Sequence, residues 1–445
     1  MERLPNELLF IIGKHTMDRW RPAKTLCSLT LCSRRLHSVF QPLLLYHITP
    51  NWSIHIVHLI IRLWRHPELA RKVRHLVTSW LDCDGGPCKG LGEDETVGDD
   101  VVEFVDAALD EILEAEEADT RTKWKEHLLI PCEEAWLGLL LVRTTHLETI
   151  EFSHGSTELM ADILRKAARR QRPFHRTSPF PHLQEVFVSS QTADTWVDSA
   201  FLQPFFYFPA VRKIDGGPVG ESYRDGTETW SRDIRHSSRP VREVTVRPAW
   251  WCRGMLDWLA ASPALEHVAL VFGLHRDEDH LPEKCKFHAP EFRHALLPFT
   301  RTLRTLHLQV EDPFEENWRS VTNDRRPFGS LREFAVLDEL RMRWVHLLQA
   351  PPARISRFCG NKTRSLVEIL PASLRRLDVL ELEEHYYIDL LLQLSRLVQH
   401  RTSFPRLRRV GVYVKEVDGD LRSALQQEFA YTGIDVTVEV QESRW

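Results

Sequence analysis

The sequence predicts an α+β chain: an all-α N-terminal unit, then an irregular α/β repeat in which parallel strands stack with helices outside. Two observations carry this. The first forty-odd residues space apolar side chains at helical intervals, as Leu8, Leu9 and Ile12 and then Leu26, Leu29, Cys32, Leu36 and Val39. From residue 147 onward one phrase recurs: a hydrophobe, two mostly polar residues, a hydrophobe, a variable residue and a hydrophobe. Such recurrence at tens of residues marks a repeat architecture. An α/β domain with one ordinary parallel sheet is the competing arrangement.

In chain order, Leu4 and Pro5 open the first helix, because Pro is tolerated in a first turn. Glu7 sits where the helix dipole favours an anion. The second apolar set follows with Arg34 and Arg35 between its members. A unit of about forty residues buries little core alone, so its apolar faces need a partner or the rest of the chain.

This stretch resembles an F-box. The family pattern, Leu-Pro-x-Glu with hydrophobic pairs and later Leu-x-x-Leu-x-x-hydrophobic-small-Arg-Arg-hydrophobic, is met by Leu4, Pro5, Glu7, Leu8, Leu9 and Ile12, then Leu26, Leu29, Cys32, Ser33, Arg34, Arg35 and Leu36. The spacer departs from it, with Trp20 and Pro22 where the family more often has an acidic residue before a Leu pair. The resemblance implies docking on an acidic Skp-type adaptor, and through it on cullin. It assigns the contact to Leu4, Pro5, Leu8, Leu9, Ile12, Leu29, Cys32 and Leu36, with Arg34 and Arg35 facing the acidic partner.

The next stripe, Ile56, Leu59, Ile60, Leu63 and Trp64, predicts a helix that Pro67 ends. Val73, Leu76 and Thr78 read as the first strand. This order, with a Tyr-containing link before it, is similar to a large group of filamentous-fungal F-box proteins. Residues 82–99 are rich in Gly and acidic residues and read as a loop. Glu93 to Asp119 holds thirteen acidic residues and no Lys or Arg, which suggests an electrostatic decoy, a dock for a basic substrate, or a solvated helix face with an exposed loop. Within it Val101, Val102, Val105, Leu109, Ile112 and Leu113 predict an amphipathic helix.

The phrase then appears as Leu147-Ile150-Phe152, Leu183-Val186-Val188, Val241-Val244-Val246, Leu265-Val268-Leu270, Leu303-Leu306-Leu308, Leu331-Phe334-Val336, Leu374-Leu377-Val379 and Leu407-Val410-Val412. A partial copy at Val211-Ile214 has Gly216 in third place. Hydrophobes at +3 and +5 share one face of an extended segment. Helical patterns fall between copies, at 159–170, 255–259, 338–349, 386–399 and 421–429. The combination resembles the leucine-rich-repeat family, as a divergent member. Intervals between copies mostly exceed the usual period, and no Asn or Cys ladder recurs. The expected domains are an F-box at 1–48, a helical linker and first strand at 49–81, an acidic insertion at 82–120 and a repeat domain at 121–445.

The open face of such a sheet carries the variable residue of each phrase: Glu151, Phe187, Thr245, Ala269, His307, Ala335, Asp378 and Gly411. Phe187, Thr245, His307 and Asp378 are the candidate contacts for a protein substrate. Trp and Arg, the residues of interface hot spots, are abundant, with fourteen tryptophans.

Chemistry is sparse. No Gly-x-Ser-x-Gly elbow, P-loop or His-Glu-x-x-His occurs. Cys83 and Cys88, with His75 upstream, fall short of the four close ligands of structural zinc. Cys27 and Cys32 read as small buried hydrophobes. Glu383, Glu384 and His385 read as a solvated helix start, and Arg169, Arg170, Arg172 and Arg176 as either a phosphate or import patch or a solvated helix end. No catalytic residue, metal or cofactor is expected.

With 445 residues, a net charge of −5 and 43% hydrophobic residues, the composition is that of an ordinary soluble protein with no bias toward nucleic acid. The short run Leu8 to Ile12 after Glu2 is no signal peptide, no window reaches a membrane span, and eight scattered cysteines make no disulfide framework. The expected setting is cytoplasmic or nuclear. Taken with the resemblances, the residues suggest a non-catalytic substrate receptor of an SCF-type (Skp–cullin–F-box) ubiquitin ligase. The alternatives are an F-box scaffold outside any ligase, or an enzyme with an unrecognised site.

Overall fold

The computed structural model describes residues 4–17, 22–50, 53–79, 98–130, 132–153, 158–190, 196–220, 241–250, 259, 262, 264–272, 287–310, 326–348 and 364–441. The chain divides into two compact units, Met1–Ile214 and Asp215–Trp445.

Unit 1 opens with three helices, α1 (Asn6–Met17), α2 (Pro22–Cys32) and α3 (Arg34–Leu44). The second apolar set is not one helix. Ser33 is extended, at φ −159°, and its hydroxyl accepts the N–H of Leu36 at 3.2 Å, so it ends α2 and caps α3. The three helices share a small core of Leu9, Leu26, Leu36, Val39, Phe40 and Leu43. Gly13 lets α1 approach α3 closely, since a Cβ there would lie 2.5 Å from Leu43 Cδ1.

A two-residue strand, β1 (His47–Ile48), precedes the expected first strand and pairs with it in parallel. Helices α4 (Ile54–Arg65) and α5 (Pro67–Ala70) follow, with Pro67 in the first turn of α5, then β2 (His75–Ser79). The described part of the acidic block includes α6 (Asp99–Ile112), which buries Val101, Phe104, Val105, Ala108, Leu109 and Ile112, whereas residues 82–97 of the expected loop lie outside the described residues. Its charged face is ion-paired to other elements of unit 1. Arg121 and Lys125, on α7 (Ala118–Leu129), meet Asp110 and Asp106, each at 2.7 Å. Arg172 reaches Glu114 at 3.3 Å and also donates to the carbonyls of Asp110 and Glu111. One member of the arginine cluster thus answers the acidic block.

Helix α8 (Glu133–Arg143) leads into β3 (Thr149–Ser153), then come α9 (Glu158–Arg169) and β4 (Glu185–Ser189). The next strands are β5 (Val197–Asp198), β6 (Lys213–Gly217) and β7 (Val219–Gly220). Within unit 1 the order is β1-β2-β3-β4, all parallel. Phe152 lies edge-on to Phe201 at 5.3 Å between ring centroids and 6.0 Å from Phe205, in a fully buried aromatic group.

Unit 2 continues the pattern with β8 (Glu243–Trp250), β9 (His267–Phe272), β10 (Thr305–Val310), β11 (Glu339–Arg343), β12 (Arg376–Leu382), β13 (Arg409–Val414) and β14 (Asp435–Val440). They pair in that order, each parallel to the next. Expected helices appear at Tyr387–Gln399 and Gly419–Phe429, whereas residues 255–258 of another lie outside the described residues. Within unit 2, Gly217 allows a close backbone approach, for a Cβ there would sit 1.7 Å from the Arg247 carbonyl oxygen.

One strand was expected in the wrong place. Residues 331–336 are turn, with Leu331 and Phe334 buried, and the strand is Glu339–Arg343, built on Leu337-Leu340-Met342. Both triplets fit the phrase, and the later one keeps register with β10 and β12. The helix expected over 338–349 shrinks to Trp344–Leu347. The last strand does not match the phrase, because Gly433, at φ +70°, stands where its first hydrophobe would be.

A ladder also exists where none was read. The residue after each leading hydrophobe passes a backbone hydrogen bond to its neighbour, as Arg304 N to Glu266 O at 2.7 Å, Asp338 N to Arg304 O at 2.8 Å and Arg375 N to Asp338 O at 2.8 Å. From Arg242 to Arg375 its side chains alternate in sign, with Arg242–Glu266 at 3.2 Å, Glu266–Arg304 at 3.8 Å and Arg304–Asp338 at 3.9 Å, and Arg408 ends the alternation.

Candidate functional site

Two surfaces present groups that the core does not consume. The first is on α1–α3. Leu8 (46%), Ile11 (49%), Ile12 (38%) and Leu31 (86%) are exposed hydrophobes on this small unit. Beside them lies an open groove of about 500 Å³, lined by Asn6, Glu7, Phe10, Ile11, Ser38, Val39 and Pro42.

The residues expected at an adaptor contact divide between inside and outside. Pro5, Leu8, Ile12, Cys32 and Arg34 are exposed, and Leu4 and Leu29 are half-buried against the helical core. Leu9 and Leu36 are core residues: helical rotation turns Leu9 away from Leu8 and Ile12 on α1, and Leu36 belongs to the buried stripe of α3 with Val39, Phe40 and Leu43. Arg35 is exposed but bonded: its Nε donates to Asn6 Oδ1 at 3.0 Å and its Nη2 to the Leu4 carbonyl, tying α3 to the start of α1. Cys27 and Cys32 are exposed, contrary to their reading as buried hydrophobes. Ile11 and Leu31, exposed beside Ile12 and Cys32, extend the apolar surface beyond the residues that the motif specifies.

The second surface is the open face of the sheet in unit 2. Strand register places Thr245, Ala269, His307, Arg341, Asp378, Gly411 and Thr437 in one row. Three of the four expected substrate contacts therefore share a row. The fourth, Phe187, aligns with Glu151 and Val77 in unit 1, with Lys213 Nζ 5.6 Å from its ring centroid. Arg341 takes the place expected for Ala335, which lies in a turn and donates its N–H to Thr300 O at 2.9 Å. That error follows from the misplaced strand.

Burial corrects two more expectations. Thr245 and Asp378 lie on the open face yet are 4% and 2% exposed. Arg376 covers Asp378, with Nη2 at 2.8 Å and Nε at 3.1 Å from its oxygens, and the carboxylate leans over Gly411, where no side chain resists it. His307 is half-buried, and burial with the nearby arginines pushes its imidazole down to about 4. The ring is neutral at pH 7, so the 3.7 Å approach of Glu339 is no ion pair.

Past this row Arg343 Nε donates to Glu381, and the N–H of Glu381 donates to Gln441 Oε1 at 3.0 Å. Burial pushes the Glu381 carboxyl up to about 7, against the pull of Arg343. Glu383 and His385 form an exposed pair at 3.4 Å at the start of the following helix. Among the described residues no group of three or more His, Cys, Asp or Glu is placed to hold a metal, and Cys83 and Cys88 lie outside those residues. No helix among them is long and apolar enough to cross a membrane.

A model of the leucine-rich repeat domain matches residues 56–445, beginning within α4 and after α1–α3. No curated protein matches the chain. A domain of this kind fits a role in protein interaction. The parallel strands, their shared row of open-face residues and the match over most of the sequence agree: the chain belongs to the leucine-rich repeat domain family.

Proposed function

We propose that this chain is the substrate-recognition subunit of an SCF-type ubiquitin ligase, with α1–α3 docking on a Skp-type adaptor and the repeat domain holding a target protein. The observation that carries the reading is the pairing of an F-box-like motif with exposed Leu8, Ile11, Ile12 and Leu31 on a helical unit outside the matched repeats. Apolar side chains left out of so small a core are the ordinary mark of a docking face. In this role the chain performs no chemistry. It binds a target so that an enzyme recruited through cullin meets its lysines at high effective concentration.

Co-purification from cells expressing the intact chain tests the assembly. Recovery of both a Skp-type adaptor and cullin is the expected result. Adaptor without cullin would favour a scaffold acting outside a ligase, and recovery of neither would sink the reading.

A further inference from the structure

On the open face of unit 2, arginines on β11, β12 and β13 mostly face a carboxylate. Arg343 donates to Glu381, Arg376 holds Asp378 at 2.8 Å, and Arg409 lies 3.7 Å from Glu439. Arg341 differs. Among the described residues no carboxylate lies within ion-pair distance of it, and its Nε, like that of Arg409, is buried with no acceptor. Its guanidinium rests on the Tyr413 ring, 4.8 Å from the centroid, after crossing β12 to reach β13.

Such stacking fixes the plane of the guanidinium while leaving its donors unspent. A half-buried cation without a hydrogen-bonding partner is costly, and an incoming acceptor relieves that cost. Asp378 is not that acceptor, because Arg376 already occupies it. Two more groups bear on the same place. His307 is the register partner of Arg341, and Arg247 is an exposed cation on β8. The field at His307 has the same sign. Burial, Arg341, Arg376 and Arg247 all disfavour its protonation, with Asp378 opposing them.

We propose that Arg341, flanked by His307 and Arg247, forms an oxyanion site that takes an acidic or phosphorylated side chain of a bound polypeptide. The planar fork of Arg341 can grip two oxygens of a carboxylate or phosphate side by side. A stacked arginine of this kind is also the residue type that dominates interface energies. The site depends on the interaction role of the repeat domain and not on adaptor docking by α1–α3, so either can fail alone.

The test follows the His307 imidazole signal by NMR in the full chain, assigned with His307→Gln, while inorganic phosphate, triglutamate or triglutamine is added. An oxyanion beside His307 should lift its pKa from about 4 toward the ordinary imidazole range, whereas triglutamine should leave it in place. Arg341→Met should raise the free value and abolish the anion response, with circular dichroism and melting confirming the fold. Arg341→Lys, keeping charge without the fork, should need at least tenfold more anion. A response to phosphate alone identifies a phosphorylated ligand, and a response to triglutamate includes carboxylates. No response to either anion, or an unchanged response in Arg341→Met, overturns the site.

Discussion

The carboxylate of Glu134 accepts the backbone N–H of Leu159 at 2.7 Å, and with the same oxygen that of Met160 at 2.9 Å. Glu134, in the first turn of α8, thus serves the first turn of α9. It is 3% exposed, and the bonds satisfy N–H groups that no turn of α9 can reach. Glu134→Ala should cost about 1–3 kcal/mol, as expected when buried donors lose their acceptor. Glu134→Gln, which keeps one acceptor oxygen, should cost less. Urea unfolding followed by far-UV circular dichroism measures both, and equal costs would show that the caps contribute little.

The charged ladder predicts a different pattern. Glu266 stands between Arg242 and Arg304, so Glu266→Lys sets three cations in line. These groups are partly exposed, so the loss should be modest, about 1 kcal/mol, and should shrink in 1 M salt. Adding Arg304→Glu should restore part of it. A double variant no more stable than Glu266→Lys would remove the ladder from the account.

Glu133 gives a pH signature. Burial, with Cys132 beside it, pushes its carboxyl up to about 7, and Oε1 is buried without a partner. The folded chain keeps this proton up to about 7, while the unfolded chain gives it up near the ordinary value of about 4.3. In that window the folded state holds more protons, so stability falls as pH rises. Glu133→Gln should flatten the slope and gain about 1–2 kcal/mol at pH 8, a figure reduced for the group's partial exposure. A slope unchanged by the substitution would mean that Glu133 ionises normally in the folded chain.

The repeat was legible in the sequence because a strand's inward face needs hydrophobes at fixed offsets, and Leu303, Leu306 and Leu308 supply them without interruption. It failed where two triplets competed within the twelve residues 331–342. Leu331-Phe334-Val336 and Leu337-Leu340-Met342 satisfy the same rule, and only pairing with β10 and β12 separates them. That one slip hid Arg341, now the central residue of the proposed oxyanion site. Tertiary facts were beyond local pattern: no spacing announces that Arg376 folds over Asp378, or that Arg172 answers Glu114 from 58 residues away. In α1–α3, helical periodicity found the apolar residues but not which would be used up inside. Leu9 and Leu36 fill the core, and Leu8 and Ile12 do not.

That division sets the central measurement: the affinity of a purified Skp-type adaptor for the full chain, for Leu8→Asp with Ile12→Asp, and for Arg34→Glu as a charge probe. Leu8 and Ile12 are exposed, so their replacement leaves the core of α1–α3 in place, which Leu9→Asp would not. If these side chains dock, losing two apolar contacts should weaken binding by on the order of 100-fold, and Arg34→Glu should weaken it less and in a salt-dependent way. Full affinity in the Leu8→Asp and Ile12→Asp double variant, or no binding by the intact chain, would contradict the account.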